Sequence, residues 1–199
     1  HVVGHDWGGT IAWNLACRFP DSIDKLAVLS GPQRLQVALT HGLSNSWDYL
    51  QRNWHLLALQ TPGLPQWLIR DNLSSFLTYL FQQQAVRKSA FTQANTDLYQ
   101  AALQKPGVIP AVLQHVRHCF SLNDWITSWL SPSRLSNLSL ASPTLFMWGE
   151  DDTLGSAVNA FPEKLSGEYF IKKPIPDCGH WIQQEAPNSV NRELIEFFT

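Results

Sequence analysis

Eight residues near the start of the chain, Val2-Val3-Gly4-His5-Asp6-Trp7-Gly8-Gly9, restrict its fold more than any other stretch. His1 to His5 reads as the end of a buried strand. Thr10 to Phe19 carries apolar residues at helical spacing through Ile11, Leu15 and Ala16, and Pro20 stops it. Joining strand to helix within so few residues demands a strained turn, which flanking glycines permit. Asp6 is thereby lifted above the sheet edge to the start of a helix, whose partial positive charge favours an ionised carboxylate. Helix capping is the plainer reading of Asp6, but a cap does not call for glycine on both sides.

Lys25 to Ser30 is a short apolar run between Asp24 and Gly31-Pro32, the pattern of a fully buried parallel strand. Pro143 to Trp148 repeats it, Tyr169 to Pro174 is a weaker version, and Asn188 to Phe198 closes as an amphipathic helix. In between, charged residues thin out, Gln and Trp accumulate, and only helical stretches appear, broken by Pro62, Pro65, Pro106 and Pro110. The expected fold is α/β: a mostly parallel sheet with helices on both faces. Residues 1–32 and 142–199 would form its core, and 33–141 an inserted helical cap over the strands' C-terminal edge. Because the chain opens within a strand pattern, further strands are expected upstream of it.

Composition narrows the partner. A net charge of −2, with 14 scattered basic residues, argues against a nucleic-acid backbone, and no apolar run approaches the length of a membrane span. Three cysteines without CxxC spacing indicate neither a disulfide framework nor a zinc site, so a reducing cytoplasm is expected and no metal or cofactor. Nine tryptophans suit an apolar cavity for a small, neutral substrate.

The G-x-D-x-G pattern is a nucleophile elbow carrying Asp in place of the commoner Ser. A carboxylate attacking a saturated carbon leaves an ester, which water can release; a hydroxyl would leave an inert ether. Ester release needs a base, and His180 supplies it in the loop Cys178-Gly179-His180-Trp181 after the last strand. An acid to hold the imidazole is expected in Trp148-Gly149-Glu150-Asp151-Asp152. Asp152 is chosen as the last acid of a G-x-x-D turn, with Asp151 the alternative. The amide of Trp7, following the nucleophile, is the expected oxyanion donor.

VGHDWGG with its IAW helix, PTLFMWGEDD, and GHWIQQEAPNSVNRELIEFF together resemble the epoxide hydrolase and haloalkane dehalogenase branch of the α/β-hydrolase superfamily, the last segment leaning toward epoxide hydrolases. Leu56 to Leu68 and Gly107 to Phe120 are similar to its two cap stretches. The resemblance implies a covalent alkyl-enzyme ester on Asp6, hydrolysed by a His180-activated water. In epoxide hydrolases each cap stretch carries a proton-donating Tyr; here Ala58 and Val116 stand at those positions. His55, His115, Tyr49 or Tyr79 would have to substitute, with His55, His115 and Trp181 as expected substrate contacts. A dehalogenase would instead grip halide through Trp7 and Trp54 or Trp125. A third expectation is a non-catalytic relative whose aromatic pocket only binds a small molecule.

Overall fold

The computed structural model describes residues 1–31, 61, 69, 72–119, 140–152 and 169–199. Among these residues four parallel strands form one sheet in the order β1 (Val2–His5), β2 (Leu26–Leu29), β3 (Thr144–Gly149), β4 (Phe170–Ile175). Helix α1 (Trp7–Arg18) returns the chain from β1 to β2, through a single 3-10 turn at Pro20–Ser22. Between β2 and β3 lie α2 (Leu73–Gln84), α3 (Gln93–Leu103) and α4 (Val108–Cys119); after β4 come the short α5 (Ile182–Glu185) and α6 (Pro187–Phe198).

Side chains alternate across a strand, so each one feeds two cores. Leu26, Val28 and Phe146 pack with Ala12, Trp13 and Ala16 of α1. Ala27, Leu29, Leu145 and Met147 face the other way, onto Ile182 and Val190 of α5 and α6. All four residues of β2 are buried for that reason, and apolar runs of this kind were readable as strands. β4, at the edge of the described sheet, exposes Ile171 and Lys172 and includes Pro174, which an edge tolerates because its missing N–H is not needed for the ladder.

The start of α1 differs from the sequence expectation of Thr10. Helical geometry begins at Trp7, immediately after Asp6, and Thr10 N–H already donates to the Asp6 carbonyl at 3.1 Å. Reversing direction at one residue removes the need for a longer turn. Beyond the sheet, Leu73, Leu77 and Phe81 of α2 and Leu113 of α4 form a third apolar cluster, against which Trp181 packs. Among the described residues no helix is long and apolar enough to cross a membrane.

Candidate active site

At the C-terminal edge of the sheet, Asp6 has φ 49° and ψ −118°, a left-handed-side conformation costing a non-glycine residue about 1–3 kcal/mol. Its side chain makes no capping bond to α1, so the plainer reading of this aspartate does not hold. Backbone contacts fix the turn: Asp6 N–H donates to the Leu29 carbonyl at 3.0 Å. Gly4 is what sterics require, since a Cβ there would stand 2.4 Å from the Gly8 carbonyl oxygen. Gly8 itself faces open space among the described residues.

The 148–152 segment folds back over the end of β4. Asp151 N–H donates to the Cys178 carbonyl at 3.1 Å and Asp152 N–H to the Gly149 carbonyl at 3.1 Å. Glu150 and Asp151 are thereby left exposed, while the Asp152 side chain is turned inward and 1% exposed. Its Oδ2 lies 2.9 Å from Nδ1 of His180, whose own side chain is 2% exposed. The other ring nitrogen, Nε2, is 3.4 Å from Oδ1 of Asp6, a carboxylate left 26% exposed. The three residues singled out in the sequence thus meet in one line, with the imidazole between two carboxylates.

Burial by itself would discharge that imidazole, but the Asp152 and then the Asp6 carboxylate outweigh it and push the His180 pKa up to about 9. His5 moves the opposite way: burial and the charge on His180 lower its pKa, so it stays neutral. Its Nε2–H donates to the His180 carbonyl at 3.1 Å, a support that sequence reading missed because His5 looked like one more strand residue.

Trp181 stands nearly perpendicular to His180, ring centres 5.2 Å apart, and 5.3 Å from His5; its Nε1 is buried and finds no partner among the described residues. Trp7 meets His115 of α4 edge-on at 5.9 Å, which brings one candidate substitute donor beside the residue following Asp6. Tyr79 is 61% exposed, turned to solvent on α2. His55, Ala58, Tyr49, Trp54 and Trp125 lie outside the described residues, as does the side chain of Val116. No group of three or more metal-ligating side chains occurs among the described residues.

A further acid, Glu185, was not anticipated. It is 5% exposed and accepts backbone N–H bonds from Gly179 and Trp181, on either side of His180, and from Val86 and Arg87 after α2. Its bonds to Gly179 and Trp181 are local, but no local pattern announces those to Val86 and Arg87, which come from a separate part of the chain.

Residues 1–187 match a family model described as the alpha/beta hydrolase fold. Human Epoxide hydrolase 4 is 27% identical over 98% of this chain and 52% of its own length, and the mouse protein of the same name 29% identical over 96% and 51%. The chain therefore spans about half the length of these curated relatives. The crystal structure of wild-type Cfl2 from Burkholderia cenocepacia superposes with a TM-score of 0.77 at 24% identity, over 100% of this chain and 65% of that one.

Proposed function

The chain belongs to the α/β-hydrolase fold family, and from that premise we propose that it forms part of an epoxide hydrolase-like enzyme with Asp6 as nucleophile. The observation that carries this reading is the strained, uncapped Asp6 carboxylate 3.4 Å from a buried histidine that is itself paired to Asp152. A hydroxyl at the elbow would suit acyl transfer; a carboxylate suits attack on a saturated, electrophilic carbon. The names of the relatives point to epoxides.

In the first step an Asp6 oxygen bonds to an epoxide carbon, the C–O bond of the ring breaks, and the alkoxide takes a proton. His115, edge-on to Trp7, is the donor we assign in place of the absent cap tyrosines. Esterification removes the charge on Asp6, and with it one of the two carboxylates that raise the His180 pKa. His180 then yields its proton more readily, through solvent to the spent His115, and becomes a base when a base is needed. Water attacks the ester carbonyl and passes its proton to Nε2, while Asp152 stabilises the imidazolium through Nδ1. The Trp7 amide donates to the transient oxyanion. Collapse expels the diol, which leaves with the proton from His180, and the second proton of the water, left on the Asp6 carboxyl, passes to His180 and restores both carboxylate and imidazolium. Residues 33–141 would serve as a cap that excludes water and, together with Trp181 of the core, supplies the pocket walls, His55 among them.

Intact-protein mass spectrometry of the full-length His180→Gln variant tests this, after incubation with aryl and alkyl epoxides and, separately, haloalkanes. An adduct of the intact epoxide mass, absent when Asp6→Asn is added, is expected. An alkyl adduct lacking halogen would instead establish dehalogenation. No adduct with any compound would favour a ligand-binding role and overturn the reaction.

A further inference from the structure

The two flanks of His180 and one turn of the helical segment converge on a single buried carboxylate. Oε2 of Glu185 accepts from Gly179 N–H at 3.1 Å, Val86 N–H at 2.8 Å and Arg87 N–H at 2.9 Å, and Oε1 accepts from Trp181 N–H at 3.2 Å. An acid reaching back to the N-cap N–H of its own short helix is a familiar capping device. That accounts for Trp181 alone, not for three donors from two other places. Arg87 reinforces the junction: its guanidinium donates to the carbonyls of Asp177, Pro176 and Glu185 at 2.9, 3.3 and 3.2 Å. The Val86–Arg87 turn is thus fastened to the loop that carries the histidine.

We propose that Glu185 is the positioning residue of His180, holding the backbone on both sides of it against the Val86–Arg87 turn so that both ring nitrogens meet their carboxylates. The inference rests on the reading of His180 as the base. The imidazole is useful only if Nδ1 reaches Asp152 and Nε2 reaches Asp6 together, and the ring has no freedom to satisfy both once its backbone drifts. A displacement of ~1 Å at a reacting group can cost about a hundredfold in rate. Seating of the helical segment and alignment of His180 then become one event, because Glu185 binds both.

Besides Trp181, the groups facing the imidazole among the described residues are Asp6, Asp152 and His5. Glu185 holds the amides of Gly179 and Trp181 on either side of His180, so changing it acts on the ring through the loop, and an effect of its charge is separated by the variants below. The test is a titration of His180 by NMR in the full-length, histidine-labelled protein, with His180→Gln to assign the resonance. It needs no substrate, so a failure to form epoxide adducts would count against the proposed reaction and leave this measurement readable.

Glu185→Gln removes the charge but keeps an oxygen for Gly179, Val86 and Arg87, losing only the bond to Trp181. Glu185→Asp keeps the charge but, one methylene shorter, cannot reach both sides. Positioning predicts that Glu185→Asp and Glu185→Ala let the His180 pKa fall from about 9 toward its ordinary 6.5 and broaden the Nδ1–H signal, whereas Glu185→Gln stays close to wild type. An effect of charge would reverse that order. Wild-type behaviour of Glu185→Asp, or Glu185→Gln as perturbed as Glu185→Asp, overturns the proposal. If the Ala variant does not fold, the Asp and Gln pair still decides.

Discussion

Adding one methyl group at Gly149 should disable the site without touching any of its side chains. β3 ends at Gly149, where the chain turns toward Asp152, and the histidine loop crosses directly over it. A Cβ built there would stand 2.1 Å from the carbonyl oxygen of Gly179 and 2.2 Å from that of Cys178, both backbone atoms that no rotamer change can move aside. Ordinary contact begins at 3.4 Å, so the Gly179 carbonyl would have to retreat by about 1.3 Å. Gly179 is also the residue whose N–H reaches Glu185 at 3.1 Å, and the next residue holds the 2.9 Å bond to Asp152. A retreat of that size breaks at least one of the two. The expected cost in stability is about 1–3 kcal/mol for overpacking a well-filled site, and in turnover about a hundredfold for misplacing the proposed base. Urea unfolding of Gly149→Ala, together with epoxide turnover by the folded fraction, separates the two effects. Wild-type stability and rate in Gly149→Ala would refute the close approach on which this reasoning depends.

Gly4→Ala should open the elbow, since its Cβ would meet Gly8 backbone at 2.4 Å; a loss of about 3 kcal/mol is expected in denaturant melts. His180 has a folded pKa raised above the unfolded value, so its contribution to stability is complete below pH 6.5 and disappears as pH rises through about 9. The gap in urea midpoint between wild type and His180→Gln should therefore narrow across that window, and a gap that widens would contradict the pairing. Arg87→Ala removes three bonds to carbonyls, two of them exposed, and should cost about 1–2 kcal/mol by the same melts. Burial, with the Glu185 charge second, pushes the Cys178 thiol up to about 12, so iodoacetamide at pH 8 should label it only after unfolding.

How much of this could be read from the sequence followed from how local the cause was. The strands around Leu26–Leu29 and Thr144–Gly149 were visible because a strand buried on both faces is apolar at every position. β4 was faint, since its edge position admits Lys172, Lys173 and Pro174. Asp6 stood out through Gly4, whose lack of a side chain is a steric demand of the turn itself. Asp151 and Asp152 were adjacent and chemically alike, and only the backbone bonds folding that turn over Cys178 sent one inward and the other to solvent.

The sequence by itself determined the alternation of strands and helices, the strained turn at Asp6 and the loops from which its partners would come, because periodicity, glycine and proline act within a few residues of themselves. Tertiary structure alone decided which acid faces His180, that His5 carries its carbonyl, and that Glu185 gathers amides from positions 86, 87, 179 and 181. Those bonds join residues as many as 175 positions apart. No local pattern encodes them, since a buried polar group takes whichever donor the packed chain brings within reach.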